Sequence, residues 1–269
     1  MTRFESRMQS LESFRAMLGS RPETLNRDHV QASAALVRER GTVTLSRYGE
    51  VPVVVHGTNY REDIRAFEAP MRAFALLDLA DEATRMNPES DVLCLEGLTP
   101  FARMLKELYP KAICSEYAPD PEVQAQIAPI PHVDAMNMPF EDATMDAVLS
   151  ADVLEHVPDL DRVLSETARI LRPGGAMIAT FPFACGQDVP IRRAVLEDGE
   201  VKHLMEPEYH GDPVRPGEGV LVFEIPGWDI VPRTKAAGFV RAEMVFVADT
   251  DSGYMGNNMD GLFILYAQR

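Results

Sequence analysis

Cysteine is scarce in this chain. Cys94, Cys114 and Cys185 are the three present in 269 residues, widely spaced and without a C-x-x-C pair. An odd, scattered set excludes a disulfide framework and a zinc knuckle, and it suits a reducing compartment, so a cytoplasmic location is expected. Long apolar runs are also missing. No stretch reaches the ~18 uninterrupted apolar residues that a membrane-spanning helix needs. The opening stretch MTRFESRMQSLESF is charged and has no apolar core, so a signal for export is not expected. Positive charge is in short supply: 26 Lys and Arg face 42 Asp and Glu, for a net charge of −16. Nucleic acids and anionic membranes attract proteins through a basic face, so neither is expected as a general partner. What is present is ordinary for a soluble globular protein, with 46% hydrophobic and 25% charged residues. The length accommodates one large α/β domain and an extension, and no internal repeat or low-complexity tract interrupts it.

Residues 145–183 read as one continuous unit, MDAVLSADVLEHVPDLDRVLSETARILRPGGAMIATFPF. A buried strand over Ala147–Ser150 runs into a polar loop from Asp152 to His156. An amphipathic helix over 159–171 follows, with Leu160, Val163, Leu164, Ala168 and Leu171 on its apolar face. The turn Arg172-Pro173-Gly174-Gly175 ends it, and an apolar strand, Ala176–Phe181, comes next. Strand, helix and strand at this spacing form a parallel crossover unit. Open parallel sheets carry their chemistry beyond the carboxyl ends of their strands, here at Asp152-Val-Leu-Glu-His156.

The remaining elements extend this pattern. Strands are predicted at 92–95, 112–115, 132–133, 240–247 and 262–267, and helices at 100–109 and 228–237. Upstream, Phe4, Met8, Leu11 and Leu18 suggest an amphipathic helix, and a second helix is predicted from Asp28 to Arg40. Residues 42–55 read as a β-hairpin turning near Gly49, with Pro52 marking an edge strand. A long helix is predicted from Arg61 to about Met86, kinked or restarted at Pro70. The expected architecture is a Rossmann-like, doubly wound α/β sheet of seven strands with the last antiparallel, plus an N-terminal helical and hairpin extension. The boundaries are 1–60 for the extension and 61–269 for the main domain, with 185–228 an insertion on its acceptor side. The extension reads first as a packing cap on the sheet. A contribution to the acceptor pocket and a homodimer contact are the other uses open to it.

The wording of residues 145–183 closely resembles the fourth-to-fifth-strand region of class I S-adenosylmethionine-dependent methyltransferases. Loop, helix pattern and Pro-Gly-Gly turn all match together, and the antiparallel last strand is an expectation of the same resemblance. In that family the first strand ends in a glycine-rich turn, where a missing side chain lets the backbone meet the cofactor at a helix N-terminus. Here the turn reads Cys94-Leu-Glu96-Gly97-Leu98-Thr-Pro100. Cys94 stands at the expected acidic position, Glu96, Leu98 and Pro100 replace the usual glycines, and Gly97 alone survives. Glu96 is the candidate for the cofactor's ammonium group, against the alternative of a solvated turn residue. Glu116, ending the second strand, is the candidate for the ribose hydroxyls, with Tyr117 beside it packing on the adenine or on the protein. Asp134-Ala135-Met136 matches the family's third-strand ending, where the aspartate meets the adenine amino group; turn-capping is its alternative. Ala151, after the fourth strand, completes the cofactor set.

On the reaction side, methyl transfer is an in-line displacement that requires an aligned acceptor and, for a hydroxyl or similar group, removal of a proton. His156 is the candidate base, with Asp152 and His210 as further catalytic candidates. The alternative for His156 is a structural histidine bonded to a backbone group. Asp152, Glu155 and His156 are also similar to the acidic-acidic-histidine triplet of quinone-biosynthesis O-methyltransferases, which can hold a divalent metal. Most class I enzymes with this segment need none, and no metal is expected. The segment from Lys202 to Pro213, KHLMEPEYHGDP, with Gly227-Trp228-Asp229 and Gly253-Tyr254-Met255-Gly256, resembles a bacterial methyltransferase subgroup often found beside glycosyltransferases. That subgroup also lacks the standard glycine-rich turn, and the resemblance spans roughly residues 64–269. Its polar residues His203, Glu206, Glu208, Tyr209, His210 and Asp212 are expected to line an acceptor pocket, or else to bond one another and keep a long loop folded. The implied activity is methyl transfer from S-adenosylmethionine to an oxygen or nitrogen of a small-molecule acceptor, such as a sugar or glycolipid precursor. The rival is a catalytically silent cofactor-binding or regulatory protein on the same fold.

Overall fold

The computed structural model describes residues 3–215 and 217–269. Seven strands form its main sheet: β1 (Phe4–Met8), β2 (Val92–Cys94), β3 (Ile113–Cys114), β4 (Met145–Ala151), β5 (Leu171–Thr180), β6 (Arg241–Ala248) and β7 (Leu262–Gln268). Their order is β1-β6-β7-β5-β4-β2-β3. The pairs β2–β3, β2–β4 and β4–β5 are parallel, whereas β7 runs antiparallel to both β5 and β6. This is the Rossmann-like sheet with an antiparallel last strand that the sequence implied.

Alternation along the buried strands divides the core into two layers, because successive side chains point to opposite faces. On one face Cys94, Leu149, Ile178, Val247 and Ile264 meet helices α2 (Arg27–Arg40), α3 (Met71–Thr84) and α4 (Pro100–Leu108). On the other, Leu93, Val148, Met177, Phe246 and Leu265 meet α1 (Leu11–Ser20), α6 (Leu160–Ile170) and α7 (Ile230–Ala236). A short helix on a polar stretch, α5 (Pro121–Ile127), buries none of its residues. Among the described residues no helix is long and apolar enough to cross a membrane.

Three expectations give way to the structure. Phe4–Met8 is an edge strand paired antiparallel with β6, and only Leu11 onward is helical. Ser10 starts that helix as an N-cap, its hydroxyl accepting from the Ser13 amide, and the residues before it extend along the open edge of β6. The predicted helix from Arg61 to Met86 is a single turn over Tyr60–Asp63, then a tight hairpin of Ile64–Ala66 with Ala69–Pro70, and α3. Phe67 and Glu68 adopt positive φ at its tip, and Pro70, without an amide hydrogen, sits at the N-cap of α3. The predicted third strand shrinks to a single parallel bridge, Glu116 with His132. The hairpin of Thr42–Leu45 with Gly49–Pro52 is present, with Gly49 at φ 68°.

The crossover read from residues 145–183 is present, with α6 capped by the Asp159 side chain, which accepts from the Arg162 amide at 3.0 Å. Strand β5 begins earlier than expected and bulges between Leu171 and Ala176. Gly175 lies in that bulge, where a Cβ would stand 2.9 Å from the Asp146 carbonyl oxygen, so glycine is needed for the strands to close up.

Candidate active site

The carboxyl ends of β2, β3 and β4 bring Glu96, Glu116 and Asp152 near one another. The β2–α4 turn is built for a helix start: the Thr99 hydroxyl accepts from the Ala102 amide at 3.2 Å, and Pro100 occupies the first helical position. Glu116 braces the turn from β3. Its Oε1 accepts from the amides of Gly97 and Leu98 at 2.9 and 3.0 Å. Burial raises the Glu116 carboxyl above its ordinary value, the two amides act against that, and nearby Asp212 adds to it. Gly97 is glycine for a reason internal to the protein. A Cβ there would stand 2.7 Å from Ile130 Cγ2 and 3.2 Å from the Cys114 carbonyl oxygen.

Glu96 is in a different position. Its side chain makes no hydrogen bond or ion pair among the described residues. Burial pushes its carboxyl up to about 8; Arg72 pulls it down, but Asp152 and Glu116 work in the other direction. Tyr117 is exposed and its ring lies 5.5 Å from that of His132. Asp134 caps its own turn, its Oδ1 accepting from the Met136 amide at 2.8 Å. Ala135 is buried, Met136 packs at the edge of the core, and Ala151 pairs with Thr180 across β4 and β5.

Asp152 follows β4 at φ 58° and is gripped by two arginines that sequence reading passed over. Arg61 bonds both of its oxygens, at 2.6 and 2.5 Å, and Arg72 approaches Oδ2 at 3.2 Å. Glu62 closes the ring, accepting from Arg61 at 2.6 Å and from Arg72 at 2.7 Å. Burial alone would raise the Asp152 carboxyl, but Arg72 and Arg61 together hold it far below the usual carboxylate range. So firm an anion is a weak proton acceptor, and the contact it makes is to the clamp that ties residues 60–72 to the end of β4. An excess of arginine in a segment with no motif gave no signal of this.

The insertion, residues 185–228, folds as three small antiparallel pairs: Ile191–Arg192 with Glu224–Ile225, Ala194–Glu197 with Glu200–His203, and Tyr209–His210 with Val220–Leu221. It docks on the loop after Asp152. The Phe223 amide donates to the Glu155 carbonyl at 2.8 Å, and His156 Nδ1 lies 2.9 Å from the Leu221 carbonyl oxygen. This brings His210 against His156, ring centroids 5.0 Å apart and perpendicular. Glu155 is fully buried between them. Its Oε1 lies 3.7 Å from His156 Nε2 and 3.6 Å from His210 Nδ1. The Glu155 carboxylate, with Glu208 adding to it, raises His210 above the ordinary imidazole value despite burial. Glu208 is 3.2 Å from His210 Nε2 and pairs with Arg193 at 3.2 Å, while Asp212 is buried beside Glu116. Of the six polar residues expected to converge, His203, Glu206 and Tyr209 are exposed and stand apart.

Comparison with known proteins bears on the central stretch. A family model described as a methyltransferase domain matches residues 96–179. A probable S-adenosylmethionine-dependent methyltransferase of Mycolicibacterium smegmatis is 36% identical over 84 residues, covering 29% of this chain and 33% of the relative. The 27-O-demethylrifamycin SV methyltransferase of Amycolatopsis mediterranei is 32% identical over 113 residues, covering 40% and 39%. Among solved structures, DesVI of Streptomyces venezuelae aligns over 80% of this chain and 93% of its own at 16% identity, with a TM-score of 0.44. The chain thus spans well under half the length of these curated relatives. Residues 96–179, from the β2–α4 turn to β5, are similar to a methyltransferase domain, and the cofactor that the Mycolicibacterium match indicates is S-adenosylmethionine.

Proposed function

We propose that the protein transfers a methyl group from S-adenosylmethionine to an oxygen or nitrogen of a small molecule. The observation that carries this reading is Glu96: a partly buried carboxyl that makes no hydrogen bond, beside Glu116, at the end of β2 where the matched segment begins. An acid held up to about 8 by burial and neighbouring acids is an unmet demand for a cation, and the cofactor carries an ammonium and a sulfonium. The donor set therefore fits the group. Glu96 would take the ammonium, and Glu116 would offer the ribose hydroxyls the oxygen not engaged by Gly97 and Leu98. Asp134, Ala135, Met136 and Tyr117 would border the adenine, and Ala151 the methyl end.

When bound, S-adenosylmethionine supplies an activated methyl group on sulfur. The chain's part is to bring an acceptor to it and exclude water. His156 Nδ1 faces a carbonyl oxygen, which can only accept, so its hydrogen is on Nδ1 and Nε2 keeps a lone pair. His156 Nε2 and His210 Nδ1 both face the buried Glu155, and the insertion that carries His210 covers that side of the sheet edge, where the acceptor would be held. The acceptor class, a sugar or glycolipid precursor, rests on the resemblance of residues 202–213 alone.

Calorimetry with S-adenosylhomocysteine tests the reading. Wild-type protein should bind it, and Glu116→Ala should bind more weakly by about 1–3 kcal/mol, the cost of losing hydrogen bonds to a charged group. Absence of binding by the wild type would sink the proposal, and undiminished binding by the variant would remove Glu116 from the site.

A further inference from the structure

We infer that Glu155, His156 and His210 form a binding site for a divalent transition-metal ion on the acceptor side. One ligand atom from each of the three lies within 4.8 Å of the others. Glu155 carries the argument. It is 0% exposed, and neither of its carboxylate oxygens has a hydrogen-bond partner. A buried carboxylate with both oxygens unsatisfied is costly unless something cationic sits against it. Both histidine nitrogens that face it stand at 3.6–3.7 Å, beyond a hydrogen bond. That spacing is close to the ~3.3–3.5 Å that separates ligand atoms around a tetrahedral ion with bonds of about 2.0–2.1 Å.

The outer contacts of the two rings point the same way. Metal-bound histidines commonly donate their second ring N–H to a carbonyl or carboxylate, which sets the tautomer and aims the lone pair at the ion. His156 does so through Nδ1 to the Leu221 carbonyl at 2.9 Å, and His210 through Nε2 to Glu208 at 3.2 Å. With the ion bound, the nitrogen of each ring that faces Glu155 would be the one to offer it a lone pair. Arg193 neutralises the far oxygen of Glu208 at 3.2 Å. Two imidazoles with one carboxylate suit zinc, manganese or iron(II) rather than magnesium or calcium, which prefer oxygen donors throughout. His210 is about a third exposed, which leaves an open side for an added ligand. The trio is not the sequence triplet. Asp152 faces Arg61 and Arg72 instead, and His210 arrives from the insertion. The ion's use in turnover rests on the methyl-transfer reading; the site itself does not.

The test uses the full chain, stripped with chelator and titrated by calorimetry with zinc and manganese chlorides, without cofactor. Wild-type protein should bind one ion per chain and melt at a higher temperature when loaded. Glu155→Gln and His210→Ala should each weaken binding at least about 100-fold, and Glu208→Gln about 10-fold. Melting of the ion-free variants shows whether each remains folded; Glu208→Gln, at the rim of the site, gives the reading if a buried change does not fold. No saturable binding by the wild type overturns the proposal, as does full affinity in the variants. S-adenosylhomocysteine is titrated separately, so a chain that binds the ion but not the nucleoside keeps this site and loses the methyl-transfer reading, and the reverse result does the opposite.

Discussion

Two groups of acids, buried or partly buried, share the carboxyl edge of the sheet, and they are met in opposite ways. At the end of β4, Asp152 is matched by Arg61 and Arg72, with Glu62 completing a closed ring. At the end of β2 and in the loop after Asp152, the carboxyl groups of Glu96 and Glu155 make no hydrogen bond among the described residues. The first arrangement is framework: it fastens the N-terminal segment to the parallel core. The second leaves carboxyl groups without a hydrogen-bond partner, an arrangement that a ligand can complete. The difference also explains why neighbouring carboxylates shift in opposite directions, Asp152 down and Glu96 up, at one edge of the sheet.

The sharpest way to break this comparison is to strip the paired acid of a partner. Arg72→Met should destabilise the protein by about 3–5 kcal/mol, because Asp152 and Glu62, both partly buried, keep their charges with less cation between them. Denaturant unfolding measures it, and a loss below about 1 kcal/mol would make the ring no more than a surface pair.

A smaller effect, of opposite sign, is expected at Glu96. Its folded value of about 8 lies above the unfolded value of 4.5, so its contribution is full below pH 4.5 and is lost as pH rises through 8. Glu96→Gln should therefore match the wild type at pH 4.5 and exceed it at pH 9 by about 1–3 kcal/mol without ligand. The same change should weaken S-adenosylhomocysteine binding. Parallel stability–pH curves for the two proteins would show that Glu96 already has a partner.

The smallest expected change separates framework from ligand at the same turn. Thr99→Ala removes the cap of α4 and should cost about 1 kcal/mol with no change in the pH profile. A pH-dependent loss there would mean that the cap and Glu96 act as one unit.

The crossover of residues 145–183 was legible because each part signals itself locally: an apolar strand, the Asp159 cap, a helical stripe and a glycine-permitted bulge. The β2–α4 turn was legible too, although its glycines are replaced, because Thr99-Pro100 starts a helix whatever precedes it. Phe4–Met8 misled. Its apolar spacing joins smoothly to that of α1, and only the open edge of β6 makes it a strand. The stretch 61–70 misled for a similar reason, since its apolar residues suit a helix while Pro70 and the positive φ at Phe67 and Glu68 do not. In the site, the strand-end acids were found by position. Arg61, Arg72 and the outer role of Glu208 were not, because nothing near them in sequence marks what they meet.

By itself the sequence determined the α/β class, the parallel crossover, the helix caps and the places where strands end, since all follow from short-range periodicity, backbone sterics and capping chemistry. Tertiary structure decided which buried acids have partners. Asp152 and Glu155 sit in one loop and look equivalent there. One meets two arginines carried in from the N-terminal segment, and the other meets His210 carried back by the insertion. Those encounters depend on how distant segments return across the sheet, and burial strengthens them because water screens them less.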